Sequence, residues 1–436
     1  MRILKFGGTS VGKPERMHAL AKLIASKEER IVVLSAVAGT TNSLVEITNA
    51  LFKADKKTAG QLIDKLNYEY NVFVKKLYST KSGFKKGEQL IESHFNFIRS
   101  FTQDMFTVHE ERTILAQGEL ISTALFHFYL EEIGVSSVLL PALEFMKIDD
   151  DGEPMLNYIE ENLKKELSKY PKEKLFITQG YICRNPFGEI DNLKRGGSDY
   201  SASLIGAALR AEEIQIWTDI DGMHNNDPRY VKNTYPIAEL SFDDAAELAY
   251  FGAKILHPSS VLPAKKFNIP VRLLNTMQPR AKGTLITAIS KGNKIKAVAA
   301  KDDITAIKIK SSRMLLAYGF LRSIFGVFER YKTPIDMITT SEVGVSLTID
   351  NAKHLKEIFN ELKEFGSVEA DKEQTIICIV GDFSADKQGY ALKVFEAMKK
   401  IPIRMISYGG SENNISLLIK TELKKKALNA LNEGLF

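Results

Sequence analysis

Cysteine is nearly absent from this sequence: its 436 residues include two, Cys183 and Cys378, with no C-x-x-C pair. No disulfide framework or zinc site is therefore expected, and a reducing compartment is the default. The seven histidines, at 18, 94, 109, 127, 224, 257 and 354, never fall at H-x-x-x-H spacing, which leaves no histidine metal centre. No apolar run approaches the ~20 residues that cross a bilayer, so no membrane partner is expected. Met1 leads within two residues into the strand-like ILKFGG, leaving no room for a leader peptide. A cytoplasmic protein is the expectation. Excess charge is missing too: 59 basic against 54 acidic residues give +5, too little to mark a nucleic-acid binder.

What is present is ordinary globular composition, 44% hydrophobic and 26% charged, over a length that predicts two or three domains. The first half alternates short β-rich runs with amphipathic stretches. RILKF and RIVVLSAV read as strands around the helix PERMHALAKLIASKE, a β-loop-α-β unit that builds parallel sheets. Residues 44–111 read as a charged helical excursion on the sheet, a candidate lid, and EERTILAQGELISTALFHFYLEEIG as a long helix. Strands return at SVLLPAL, KLFITQGYI, EIQIWTD and PVRLLNT, with helices between them, including FDDAAELAYFGAKILHP. A linker is expected near residues 282–297. Beyond it, MITTSEVGVSLTI and MISYGGSENNISLLI echo each other, which predicts a duplicated α+β module of about 70 residues. The expected division is 1–290 and 291–436.

KFGGTSVGKP, residues 5–14, almost spells a P-loop, but Pro14 stands where Ser or Thr should hold Mg²⁺. Glycines after a strand let backbone N–H groups approach phosphate, and Lys5 places a point charge at the strand end. A tight β-α turn that needs glycine for geometry alone is the competing reading. RGGSD, residues 195–199, sits before a helix. Arg195 offers a planar fork for a carboxylate, Gly196 and Gly197 permit close backbone approach, and Ser198 can cap the helix or donate to a ligand. Glu119, inside an apolar helical run, needs a cationic partner: a ligand ammonium, or an arginine such as Arg112.

KFGGTSV resembles the N-terminal signature of the aspartokinases, within the amino acid kinase superfamily. The resemblance continues in order through SAVAGTTNSL (35–44), QGEL (117–120), RGGSD (195–199), WTDIDGM (217–223), NDPR (226–229) and FGAKILHP (251–258). Past residue 290 the chain is similar to that family's paired ACT modules. The fold implied is a three-layer αβα sandwich with a helical insertion, followed by tandem α+β, ferredoxin-like ACT modules.

The reaction implied is transfer of the ATP γ-phosphoryl group to the β-carboxylate of L-aspartate. The acceptor is already ionised at neutral pH, so no general base is required. The resemblance implies catalytic roles for Lys5 and Asp199, the latter orienting the lysine. It implies aspartate contacts from Ser35, Thr41, Glu119, Arg195, Gly196, Gly197 and Ser198. ATP would meet Lys5, Phe6, Gly7, Gly8, Thr218, Asp219, His224, Arg229, Lys254 and Ile255; His224 stands where this family usually carries a tyrosine. Mg²⁺ would arrive with ATP, held mostly by phosphates and water rather than by a protein site.

RMLLAYGFLRSIF followed by PIDMITTSEVGV is similar to the lysine-inhibited class, implying effector contacts from Met314, Gly319, Phe320, Leu321, Asp336, Ser341 and Glu342. Glu342 and Asp336 would receive the ammonium groups of lysine, and ACT pairing would make a homodimer or higher homo-oligomer. A purely structural dimerisation domain is the alternative for this half. For the whole chain the alternative is a non-catalytic amino acid sensor on the same fold; loss of Lys5, Arg195 or Asp199 would mark it, and all three are present. A fused dehydrogenase is not expected, since the sequence ends at Phe436.

Overall fold

The computed structural model describes residues 1–26, 28–103, 105–193, 196–252, 256–290, 295–311, 314, 318–384 and 388–436. The chain packs as two compact units. One comprises Met1–Met223, Ala238–Phe242 and Leu256–Ser290; the other comprises His224–Ile237, Asp243–Ile255 and Lys291–Phe436. A single division at residue 290 therefore misses two segments that pack with the C-terminal region. Part of the reason is visible around Asn225 and Asn226. The Asn226 amide donates to the Leu428 carbonyl at 2.9 Å, and the Val298 N–H donates to the Asn225 carbonyl at 2.8 Å.

In the first unit, β1 (Arg2–Phe6) leads through α1 (Gly8–Val11) and α2 (Pro14–Ile24) to β2 (Arg30–Leu34). Pro14 opens α2, where its missing N–H breaks no bond. The helices α3 (Thr40–Phe52), α4 (Lys56–Leu77), α5 (Lys81–Ser100) and α6 (Val108–Glu132) follow. Next come β3 (Val138–Leu140), α7 (Leu156–Ser168), β4 (Leu175–Gln179), the ribbon β5 (Ile182–Arg184) and β6 (Ile190–Asn192), α8 (Gly197–Leu209) and β7 (Glu213–Thr218). After β8 (Glu239–Ser241) comes α9 (Phe242–Tyr250), which from Asp243 onward belongs to the second unit, and then α10 (Leu262–Lys266), β9 (Val271–Asn275) and β10 (Thr284–Thr287). The main sheet has the order β3-β4-β2-β1-β7-β9-β10-β8 and is parallel except between β9 and β10.

The helical excursion is a wall rather than a lid. Leu4 and Phe6 of β1 and Val32 and Leu34 of β2 share one buried core with Tyr70, Val74, Phe95 and Phe126 of α4–α6. Segments so deeply buried cannot swing open without exposing that core. On the opposite face α8 crosses β1, β2 and β7, with α7 and α10 against it, completing three layers. Among the described residues no helix is long and apolar enough to cross a membrane. Helix α9 stops at Tyr250 instead of running to Pro258, because Gly252 adopts φ +123° and a Cβ there would lie 2.2 Å from the Ala300 carbonyl oxygen.

The second unit contains β11 (Ile295–Lys310), α11 (Phe320–Arg330), β12 (Ile338–Ser341), β13 (Gly344–Ile349), α12 (Leu355–Leu362), β14 (Ser367–Gly381), α13 (Tyr390–Ala397), β15 (Met405–Tyr408), β16 (Asn414–Lys420) and α14 (Lys424–Leu435). The expected linker thus contains β10 and the start of β11; residues 291–294 lie outside the described ones. One antiparallel sheet, β12-β13-β11-β14-β16-β15, carries two cores. The C-terminal half of β11 and the start of β14 belong to the core with α11 and α12, whereas Val298, Ile377 and Ile379 belong to the core with α13 and α14. The two modules are therefore interleaved on shared long strands, not strung in tandem. The register breaks between Lys301 and Ala306, where Asp303 has φ +61°.

Candidate active site

Strands β1, β2, β4 and β7 end level, since Phe6 pairs with Leu34 and Trp217, and Leu34 with Gln179. From β1 the chain moves to β2 on one side and returns later to β7 on the other. Such a switch leaves a crevice beyond the carboxyl ends of the strands, where open α/β sheets bind ligands. The expected residues after β1, β2 and β7, and Gly180–Tyr181 after β4, all lie at this edge.

Alternation along β1 sends Leu4 and Phe6 into the core and leaves Lys5 on the face of α8. Its Nζ lies 2.6 Å from Asp199 Oδ1, both side chains being mostly buried. Asp199 is in the first turn of α8, where the helix dipole also favours a carboxylate. Gly7 leaves the ammonium uncovered: a Cβ there would sit 3.6 Å from Lys5 Nζ. Its N–H donates to the Trp217 carbonyl at 3.3 Å, so the glycine turn is tied to β7. Gly8 is pressed against the next turn, its would-be Cβ 3.0 Å from the Ala36 carbonyl oxygen.

A cavity of about 330 Å³ opens beside this pair, lined by Gly8, Ser35, Thr41, Glu119, Gly197 and Ser198 of the expected set, and by Tyr181. Glu119 is 4% exposed. Its Oε1 accepts the Ala36 N–H at 3.3 Å, and its Oε2 has no hydrogen-bond partner among the described residues. Burial pushes this carboxyl up to about 8; the Ala36 N–H and the Lys5 charge pull the other way without offsetting it. Arg112 is not its partner, for that guanidinium pairs with Asp191 on β6. A buried acceptor aimed into a cavity is suited to a cationic group of a ligand.

The Ser35 hydroxyl donates to Ser198 Oγ at 2.9 Å, joining the β2 turn to α8. Ser198 does not cap that helix. Gly196, at φ +71°, holds the cap position, and a Cβ there would lie 2.7 Å from Ser260 Cβ. The hydroxyl of Ser198 therefore faces the cavity. Arg195 lies outside the described residues.

Sequence reasoning missed Gly180 and Tyr181, which it read as the continuation of a strand. β4 stops at Gln179, and Tyr181 takes φ +66°, rare for an aromatic residue. Its N–H donates to Ser201 Oγ at 2.8 Å and its carbonyl accepts the Leu193 N–H at 2.8 Å, which hold it there. Burial, then the nearby Glu119 charge, pushes its phenol up to about 12, so it remains a neutral donor. A Cβ on Gly180 would sit 2.3 Å from Ser198 Cβ.

On the β7 side, the Thr218 hydroxyl donates to Asp219 at 3.1 Å. His224 and Arg229 belong to the second unit. There His224 Nδ1 is 2.9 Å from Thr234 Oγ1, and the Arg229 guanidinium closes on Asp227, with a shortest contact of 2.6 Å. Lys254 and Ile255 lie outside the described residues. Among the described residues no three histidine, cysteine or acidic side chains converge on a metal position.

In the second unit, Gly319 caps α11 at φ +83°, followed by Phe320 and Leu321, and Ser341 ends β12 before the exposed Glu342. Gly319 and Phe320 line a cavity of about 760 Å³ between α11 and α12; Met314, Asp336, Ser341 and Glu342 are not among its walls. Asp336 is instead held by the Lys301 ammonium at 2.8 Å and the Tyr250 hydroxyl at 2.7 Å.

The amino acid kinase family model matches residues 1–275, and an ACT domain model matches residues 377–435. The chain is 34% identical to the chloroplastic aspartokinase 3 of Arabidopsis thaliana, covering all of this chain and 81% of that protein. It is 32% identical to the lysine-sensitive aspartokinase 3 of Escherichia coli K12, covering 100% of this chain and 99% of the relative. The crystal structure of E. coli aspartokinase III in complex with aspartate and ADP superposes with a TM-score of 0.85 at 32% identity, covering both chains completely.

Proposed function

The chain belongs to the aspartokinases of the amino acid kinase family, and we propose that the cavity at its strand ends is where ATP phosphorylates the side-chain carboxylate of L-aspartate. The observation that carries this reading is the juxtaposition of the Lys5–Asp199 pair with a buried Glu119 whose second oxygen has no partner among the described residues. Glu119 receives the α-ammonium of aspartate and ionises as it does so. Ser35, Thr41 and Ser198 donate to the substrate carboxylates, and Arg195 takes the α-carboxylate, a role supported by its motif. The acceptor carboxylate is already an anion, so the site needs no general base. Its work is to bring two anions together and to neutralise the transferring group.

Lys5 supplies that neutralisation, and Asp199 keeps its ammonium aimed along the strand end. Charge placed in advance where it develops in the transition state is worth roughly 3–4 kcal/mol per donor. Gly7 and Gly8 bring backbone to the phosphates, and Thr218 and Asp219 sit on the nucleotide side. His224, Arg229, Lys254 and Ile255 are assigned to that side by their motifs. Magnesium enters with ATP and screens its phosphates. The two buried free cysteines support a cytoplasmic location.

Lysine feedback is supported by the name of the E. coli relative and by the motifs around Gly319 and Ser341. Pairing through the second unit would create a homo-oligomer. Aspartate-dependent release of ADP, measured with and without lysine, tests the whole reading. Release independent of aspartate, or none at all, would reject it.

A further inference from the structure

Asp336 reaches the second unit's sheet just before β12, and its side chain is 1% exposed. Its Oδ1 is shared by Lys301 Nζ at 2.8 Å and the Tyr250 hydroxyl at 2.7 Å, while Oδ2 is buried with no partner among the described residues. The same Lys301 ammonium lies 2.9 Å from Asp350, which follows β13, and 4.2 Å from the centre of the Tyr250 ring. Burial alone would lower the Lys301 ammonium, but its bonds to Asp336 and Asp350 outweigh this and hold it above the ordinary lysine range. Two carboxylates face one ammonium, so the cluster carries one net negative charge and one vacant, desolvated oxygen. That is the complement of a single further ammonium group.

We propose that Lys301 is a resident cation of the effector site, which sets the affinity for lysine by competing with the effector's ammonium for Asp336. This rests on the reading of Asp336 as an effector residue. An arriving ammonium must share the carboxylate with Lys301 or displace it toward Asp350; either way, like charges within a few ångströms oppose binding. The resident ammonium is the buried carboxylate's cationic partner. It also makes the site respond only when lysine is abundant enough to overcome the competitor. Tyr250, the last residue of α9, shares the contested oxygen, so exchange at Asp336 bears on the end of that helix.

The test is calorimetric titration of the full chain with L-lysine, alongside inhibition of ADP release. Lys301→Met is expected to tighten lysine binding about tenfold or more, Lys301→Arg to stay near wild type, and Asp350→Asn to weaken binding about tenfold. A merely structural cluster moves the first and last variants in the same direction, toward weaker binding or none. Lys301→Met binding lysine no more tightly than wild type overturns the proposal. Should Lys301→Met not fold, Lys301→Gln takes its place, and binding no tighter than wild type there overturns the proposal. Wild type that binds lysine, with Asp336→Asn abolishing it, upholds the underlying site whatever the Lys301 result; wild type that does not bind lysine removes both.

Discussion

Replacing Glu119 by glutamine probes the cavity directly, because it keeps the shape of the side chain and removes its ability to ionise. Below the ordinary value of 4.5 the folded and unfolded chains both hold the proton; between there and about 8 only the folded chain does. Stability therefore falls as pH rises through that window, by about 1.4 kcal/mol per pH unit, and the loss is complete once pH passes about 8. From pH 6 to pH 9 the wild type gives up roughly 3 kcal/mol that Glu119→Gln retains. The only tryptophan, Trp217, is 6% exposed on β7, so its fluorescence in urea follows the first unit. Aspartate reverses the order. At about a hundred times its Kd it adds roughly 3 kcal/mol to the wild type, and little to a variant whose affinity has dropped. The reasoning fails if the difference between the two proteins is the same at pH 6 and pH 9, or if aspartate stabilises both equally.

Lys5→Met should lower kcat by about two to three orders of magnitude while the chain stays folded by circular dichroism; near-normal turnover would remove the lysine from the chemistry. Gly180→Ala forces a Cβ against Ser198 and should cost about 1–3 kcal/mol of stability and raise the KM for aspartate; an unchanged KM would show that α8 gives way harmlessly. Arg195→Ala should raise the KM for aspartate far more than it changes kcat, since it removes binding present before the transition state. A change confined to kcat would assign the guanidinium to the phosphoryl group instead.

Much of the site could be read from residue types. Glycine pairs at strand ends, a lysine out of phase with the core positions of its strand, and a glutamate within an apolar helix each demand an explanation that geometry supplies. Tyr181 gave no such signal, because a left-handed tyrosine is imposed by Ser201 and Leu193, which bind its backbone from elsewhere in the chain. Lys301 gives no signal in the sequence either, since its partners Asp336, Asp350 and Tyr250 come from three distant segments. The excursion of α3–α6 was legible as helix but not as wall, because its amphipathic faces do not say what they cover.

The shared strands β11 and β14 have a practical consequence. A fragment cut after Gly366 would strip β11 of its longest neighbour and bare the twelve residues that pair with it to any passing strand. Neither regulatory half can be excised as a free-standing sensor, and deletion mapping in this region should yield aggregates rather than desensitised enzymes.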